Sequence, residues 1–413
     1  MGLRALFRGD QAVLRGNFLL ITISWVIMFS AMPIPETYAS LFYLDLGASE
    51  LLLSVMGFAG SIAVALVQFP GGYLADKHGR RWLIVSMTFG MTIGSLFFIL
   101  APSWPFILIG LLIQNICSIY GPALMAMVMD SLPPENRGAG FSFQSVITTL
   151  VLLPAPLIAQ YLVFTFNFDL GMRIAYTLTA IAYFTIAILR LRLKETLPPT
   201  APQKPSLSSL LREYPQAVKE GIFVWRRVPK SAFNLFLSIT LVNGLVVSCQ
   251  TYFVVYATEI LNVTLEQWAL VMAFRYLSIA LPAIIAGFSM DKLGRKRFLI
   301  LGYLLFIPGM VLFVNADFNM LLLAFFFFGL GNLLQLNSYQ VLMGDLVPRN
   351  MRGTVTGCMQ FFMFLMQAAL QLVVGFIYVY VSPSLPFLLF ASAMIPLSLF
   401  VFWRVSEPKE REL

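Results

Sequence analysis

The chain has 413 residues, 59% of them hydrophobic and only 11% charged, with a mean hydropathy of +0.84. Charge this sparse, with apolar runs that repeatedly reach about 20 residues, excludes a soluble globular protein and reads as a polytopic helical membrane protein. The formal charge of +8 would suit a nucleic-acid binder, but its confinement to alternate loops excludes that reading.

In chain order, span 1 is expected from about Asn17 to Tyr43 and contains Pro33-Ile34-Pro35-Glu36. It is too long for a cleavable signal and lacks a small-residue cleavage site. Ser49 suits the N-cap of span 2, which ends in the hairpin Gly72-Tyr73-Leu74-Ala75-Asp76-Lys77-His78-Gly79-Arg80-Arg81. Span 3 follows over about Trp82–Leu100, and span 4 continues to Asp130. Span 5 begins after Arg137-Gly138, and span 6 covers about Leu170–Leu191. The runs do not alternate in segments of about ten residues, which excludes a barrel.

Beyond span 6 the texture changes. Leu197 to Pro205 is a proline-rich polar linker without apolar periodicity. After it Leu207, Leu210, Leu211, Tyr214, Val218, Ile222 and Trp225 fall on one helical face, opposite Arg212, Glu213, Lys219 and Glu220. That pattern predicts an amphipathic bridge lying on the membrane surface. Spans 7 to 12 are expected at about Ala232–Tyr256, Glu266–Met290, Phe298–Val314, Met320–Gly344, Thr354–Tyr380 and Pro386–Trp403. The division is therefore a first six-helix bundle over 1–193, a linker over 194–230 and a second bundle over 231–413.

Of the 27 Lys and Arg, all but Arg173 and Arg275 are assigned to one side, Arg190 being counted with the loop that follows span 6. This bias places both termini in the cytoplasm. Cys117, Cys249 and Cys358 fall within apolar runs and are expected as buried thiols, with no disulfide framework.

The hairpin after span 2 recurs. Gly72, Asp76, Lys77, Gly79 and Arg80 return as Gly287, Asp291, Lys292, Gly294 and Arg295, each 215 residues later. Asp130, Pro133, Arg137 and Gly138 return at the same offset as Asp345, Pro348, Arg352 and Gly353. One constant offset over this length indicates an internal duplication of half the chain. The expected fold class is an all-α membrane protein with 12 transmembrane helices in two pseudo-symmetric six-helix bundles.

The motif Gly-x-Leu-Ala-Asp-x-x-Gly-Arg-Arg, its copy after span 8 and the six-plus-six topology resemble the major facilitator superfamily along essentially the whole chain. The resemblance implies two bundles rocking about a central cavity. It implies that Asp76 faces the start of span 11 near Gly353 while Arg80 pairs with Asp130. By symmetry Asp291 would face the start of span 5 near Gly138, with Arg295 pairing Asp345. A carboxylate suits such a helix start, where backbone N–H groups are unpaired and the dipole is positive. Gly72, Asp76, Gly79, Arg80, Asp130, Arg137, Asp291, Arg295, Asp345 and Arg352 are thus the candidate gate residues. Two family patterns are absent: Cys117 stands where proton-coupled members often carry an Arg, and Leu153-Pro154-Ala155-Pro156 lacks the glycines of the antiporter motif. Both absences count against proton-driven drug export and leave the fold untouched.

Charges inside a membrane are costly and mark functional candidates. Glu36 lies about 28 Å along span 1 from Asn17, and Arg275 about 24 Å from Asp291, at the usual rise. The two depths are similar, so the pair could meet each other or one solute. Glu36 has a rival reading at the outer headgroups, and Arg275 has one as a snorkelling or structural charge. Neutral candidates are Asn115 and Tyr120 of span 4, Asn243 and Gln250 of span 7, and Gln335 and Tyr339 of span 10. Spans 1, 4, 7 and 10 line the cavity in the resembled family, but such amides also join helices to one another. Gln335 and Tyr339 lie on a different face from Asn337.

His78, the only histidine, reads as a solvated loop residue. No metal-ligand cluster or phosphate-binding glycine loop is present in the sequence, so no metal, cofactor, ATP use or enzymatic activity is expected. The expected partners are a small organic solute, a proton as candidate coupling ion, and the lipid bilayer of the cell membrane, with the protein a monomer. The function expected is secondary transport by alternating access, leaning to proton-linked export of amphipathic or cationic, multidrug-like compounds through Glu36. The alternatives are organic-anion or nutrient movement using Arg275, and a non-transporting receptor or lipid-scrambling protein on the same scaffold.

Overall fold

In lipid every backbone polar group must be satisfied within its own segment, which turns these apolar runs into helices. A computed structural model of the chain describes residues 15–132, 137–197, 223, 228–347 and 352–407, without the side chains of 69–78, 137–139, 141–142, 284–289, 291–293 and 352–354. Every regular element among the described residues is helical. Eleven of these helices are long and apolar enough to cross a membrane. Span 8, Leu265–Leu293, has 29 residues, about 43 Å of helix and ample to span as well. The protein is an integral membrane protein. The proposed surface bridge around Leu207–Trp225 lies outside the described residues.

Several spans run further at the hairpin ends than apolar content suggests. Span 2 is Glu50–His78, span 3 Arg80–Ile99, span 9 Arg295–Val314, span 10 Phe318–Leu346, span 11 Arg352–Tyr380 and span 12 Leu385–Arg404. The charged motif residues are therefore the last and first turns of helices and not a loose loop. Ser49 does cap span 2, its Oγ accepting from Leu52 N at 3.3 Å.

Span 1 is not one helix. It runs as Gly16–Ala31, Pro33–Glu36 and Ala39–Asp45, because Pro33 and Pro35 remove two neighbouring backbone donors. Span 4 is Trp104–Cys117 and Gly121–Asp130, joined by a 3-10 turn over Ser118–Tyr120 next to Gly121-Pro122. Span 5 stops at Leu150 and resumes as Ala155–Phe166, around Pro154 and Pro156. Span 6 is Phe168–Arg190. Single prolines are absorbed: Pro282, Pro308 and Pro396 each sit inside a continuous helix. Span 7, Lys230–Val255, ends in a π-helical turn over Tyr256–Ile260.

The chain divides into two units, Met1–Gly47 with Leu66–Pro215, and Ala48–Ala65 with Gln216–Leu413. Inside the first, span 3 packs on spans 4 and 6, and span 6 on span 1. Inside the second, span 9 packs on spans 10 and 12, and span 12 on span 7. The first unit's core gathers Phe18, Ile21, Trp25, Ile84, Tyr120 and Met127. The second is aromatic: Phe253 meets Phe313, Phe325, Phe328 and Phe387 at ring-centroid distances of 5.2, 5.4, 5.2 and 5.8 Å. Cys117, Cys249 and Cys358 are buried free thiols.

The segment Ala48–Ala65 of span 2 packs within the second unit. Gln367 Nε2 donates to Ser61 Oγ at 3.0 Å, and Tyr252 OH donates to the Glu50 carbonyl at 2.9 Å while stacking on Tyr378 at 4.1 Å. Gly57 faces Gln371 and Gly375 faces Ser54, with no room for a Cβ at either. Small residues let membrane helices approach this closely.

Candidate functional site

The hairpin between spans 2 and 3 turns at Gly79, whose φ of +95° and ψ of 132° only glycine adopts without strain. Gly294 turns the hairpin between spans 8 and 9 with φ +96° and ψ 138°. In the first unit Arg80 Nη1 pairs with Asp130 Oδ2 and also donates to Thr196 Oγ1 at 3.2 Å. In the second, Arg295 Nη1 pairs with Asp345 Oδ2. Each ion pair thus ties a hairpin to the end of the neighbouring span 4 or 10. The side chains of Asp76, Asp291, Arg137 and Arg352 lie outside the described residues. So does that of His78. Gly72 lies in the last turns of span 2.

Each cluster contains a carboxylate that sequence reasoning missed. Glu195, just past span 6, accepts from the backbone N–H groups of Arg81 at 3.0 Å, Thr196 at 2.9 Å and Leu197 at 3.2 Å. Burial alone would raise its carboxyl, but backbone donors at Arg81, Leu197, Thr196 and Arg80 outweigh that and hold it below the usual range. The Arg81 guanidinium donates to the Leu191 carbonyl at 2.7 Å. After span 12, Glu407 Oε1 accepts from Lys296 N, and the Lys296 ammonium donates to the Phe402 carbonyl at 2.6 Å. Two helix starts, with their unpaired N–H groups and positive dipole, thus each receive a carboxylate. The signal was present as Arg192-Leu193-Lys194-Glu195 and Arg404-Val405-Ser406-Glu407. These are 212 residues apart and so fall out of register with the 215-residue repeat.

Asparagines brace the same helix ends. Asn17 Nδ2 donates to the Lys194 carbonyl at 2.7 Å, and its Oδ1 accepts from Lys194 N at 2.8 Å. Asn234 Nδ2 donates to the Arg404 carbonyl at 3.0 Å.

Glu36 is exposed at the end of the short Pro33–Glu36 segment of the first unit. Nearby, Tyr176 OH donates to Tyr43 OH at 3.3 Å. Asn115 is half-buried in span 4, while Tyr120 is buried with its ring 4.9 Å from the guanidinium carbon of Arg190. Arg190, assigned by charge counting to the following loop, is instead fully buried. Its side chain leans back toward the start of span 6, as helical side chains do.

In the second unit Arg275 lies over the ring of Phe328, 5.0 Å from its centroid, a cation–π contact that shelters the charge within the helix bundle. Asn243 and Gln250 are half-buried in span 7. Gln335 is completely buried, and its backbone N stands 2.8 Å from where a Cβ on Gly302 would lie. Its backbone thus lies against span 9, and both amide atoms of its side chain are buried without a hydrogen-bond partner among the described residues. Tyr339 OH donates to Met359 Sδ at 3.7 Å and lines a cavity of about 190 Å³ between spans 10 and 11 with Gln340, Met343, Val355 and Thr356. No group of three or more potential metal ligands occurs among the described residues.

The chain is 24% identical over 371 residues to a protein named "Na(+), Li(+), K(+)/H(+) antiporter" of Planococcus maritimus, covering 84% of each chain. It is 26% identical over 362 residues to "Multi-drug resistance efflux pump PmrA" of Streptococcus pneumoniae, covering 85% of this chain and 84% of that one. Its fold matches a crystal structure of a peptide transporter POT in complex with sulfate, with a TM-score of 0.74 at 16% identity over 96% of this chain and 95% of the other. The family model of the Major Facilitator Superfamily matches residues 16–274 and 236–413. With paired six-span halves and a glycine-turned, ion-paired hairpin in each, the chain belongs to the Major Facilitator Superfamily and is a secondary transporter of small solutes.

Proposed function

We propose that the protein is a proton-linked exporter of amphipathic organic solutes that works by alternating access. The hairpin side faces the cytoplasm, as the basic-residue bias assigns. Glu36 is the carboxylate that takes up the proton or holds a cationic head group. The observation that carries this reading is an exposed carboxylate at a proline-made break, at the end of the apolar span Gly16–Glu36. Ionisable groups at such places are expensive and serve transport. The names of the two sequence relatives, a cation/proton antiporter and a multidrug efflux pump, support the same class. The hairpin clusters around Arg80–Asp130 and Arg295–Asp345 are the gate elements of this cycle.

Flux in proteoliposomes under an imposed pH gradient tests it. A cationic dye should move against its gradient when protons flow the other way, and Glu36→Gln should abolish that component. Gradient-driven flux that survives Glu36→Gln removes Glu36 from the mechanism.

A second reading, movement of an organic anion, is favoured by Arg275, whose charge sits over the Phe328 ring. Loss of anion flux alone in Arg275→Ala supports it. Retention of anion flux in that variant rejects it.

A further inference from the structure

The most deeply buried charge among the described residues belongs to neither reading. The Arg190 guanidinium is 0% exposed. It meets only neutral groups: Nη1 donates to Thr88 Oγ1 at 2.8 Å, Nε donates to Ser24 Oγ at 3.4 Å, and the Tyr120 ring covers the plane at 4.9 Å. The two hydroxyls give their own protons to the Ile84 and Ile21 carbonyls, at 2.6 and 2.8 Å, so their lone pairs are fixed toward the guanidinium. Nη2 has no partner, and no carboxylate pairs with Arg190 among the described residues.

The depth of this charge is that of a transport site. Ser24 and Thr88 lie eight residues from Gly16 and Arg80, and Tyr120 ten from Asp130, about 12–15 Å into the helices. The hydrocarbon layer is about 30 Å thick. The cover is also movable in principle. Tyr120 belongs to the 3-10 turn that interrupts span 4, where hydrogen bonding is poorer and helices bend. Beside it, a Cβ on Gly121 would meet nothing within 4 Å.

The fold itself does not require the charge, as the second unit shows. Leu191 and Phe402 have equivalent roles, each carbonyl receiving the basic side chain that follows the glycine turn. One residue before these carbonyls stand Arg190 in the first unit and Val401 in the second, both fully buried. Around them the 215-residue offset turns Thr88 into Tyr303 and Tyr120 into Gln335. Tyr303 OH shares a 3.0 Å hydrogen bond with Ser238 Oγ. The second unit thus places uncharged groups there, with both amide atoms of Gln335 buried and without a hydrogen-bond partner among the described residues, whereas the first holds a cation with an unpaired donor. A buried charge without an opposite charge beside it is strongly disfavoured.

We propose that Arg190 is an anion-binding residue of the first unit. It takes an oxygen of a carboxylate or phosphate on the solute through Nη2 when Tyr120 moves aside at the span 4 break. The proposal makes the solute's head group an anion, which leaves Glu36 the role of taking up the proton and not that of holding a cationic head group, and it rests on the exporter reading for the solute's being carried. Anion export is compatible with proton entry, because an inside-negative potential drives both movements.

The experiment uses the full chain in lipid nanodiscs with benzoate, phenylphosphate and benzylammonium as probes. Binding is measured by calorimetry, and modification of Arg190 by phenylglyoxal is followed by mass spectrometry. Benzoate, phenylphosphate or both should bind, and the two anions distinguish the two head groups. Arg190→Gln should weaken that binding roughly tenfold or more, the scale of a hydrogen bond to a charged group. Arg190→Lys should retain part of it. Tyr120→Ala should speed modification of Arg190, with the anion protecting it and benzylammonium not. Equal anion affinity in wild type and Arg190→Gln overturns the proposal, as does the absence of anion binding to the wild type. If Arg190→Gln fails to fold, protection in Tyr120→Ala decides, and modification unaffected by anions overturns the proposal. Anion binding without proteoliposome flux of any solute would fault the exporter reading and leave the site standing. Flux without Arg190-dependent binding does the reverse.

Discussion

Gly79 and Gly294 hold the same mirror-image backbone, at φ +95° and +96°, and each abuts a carboxylate oxygen: Cβ atoms there would lie 3.0 Å from Glu195 Oε2 and 3.1 Å from Glu407 Oε2. The glycine of the repeated motif is thus demanded by its own backbone and by the neighbour across the turn. Gly79→Ala and Gly294→Ala should each cost about 1–3 kcal/mol, the range for residues forced into such regions. Thermal unfolding in detergent measures this, and an unchanged transition for both would refute the argument.

Arg80–Asp130 and Arg295–Asp345 differ in exposure, and the difference orders their strengths. The Asp side chains are 45% and 24% exposed, while the two Arg side chains are nearly equal at 12% and 15%. Exposed pairs contribute about 0–1 kcal/mol, and shielding from water raises the interaction. Double-mutant cycles with Asp→Asn and Arg→Gln should therefore give a larger coupling energy for Arg295–Asp345. Equal or reversed couplings would contradict this ordering.

The Glu195 clamp has a defined pH response. Its folded-state carboxyl titrates below the unfolded value of about 4.3, so its contribution is complete above that value. It disappears only as the pH falls through the lowered folded value. Glu195→Gln should lower stability at neutral pH by a modest amount, about 0.5–1.5 kcal/mol. The gap from wild type should close in strongly acidic buffer. A gap that widens on acidification would show that the carboxylate is not what holds the start of span 3.

The seam between the first half of span 2 and span 11 separates two glycines that look alike in sequence. A Cβ at Gly57 runs into the terminal amide of the buried Gln371, whereas one at Gly375 meets Ser54 Oγ and Cβ and lies 2.9 Å from Tyr252 OH. A long side chain can swing away, and a serine on a helix cannot. Gly375→Ala should therefore be the more damaging in unfolding and flux assays, with Gly57→Ala the lesser of the two. The opposite order would mean that the seam is looser than its distances indicate.

Much of the architecture was legible in the chain itself. Apolar runs long enough to cross a bilayer must be helical there, and a constant 215-residue offset ties the hairpins and the Asp130 and Asp345 motifs into two equivalent halves. Prolines in pairs announced the break at Glu36, although reading span 1 as one helix missed its consequence. What the sequence could not supply was direction. Arg190 sits two residues before Arg192 and four before Lys194, and a charge count places all three in a loop. Only packing against Ser24, Thr88 and Tyr120 shows that Arg190 turns inward, since a residue at a helix end can lean either way. Gln335 was chosen for its polarity, and only the tertiary structure shows its backbone against Gly302 of span 9 and its side chain fully buried. Glu195 and Glu407 lay three residues out of register with the repeat, so the tertiary fold alone brings them to the two helix starts. Composition and repetition determined how many spans form and that they form two equivalent halves, because those follow from lipid and from chain length. Which polar groups meet was decided by helix rotation and close approach, which no local pattern encodes.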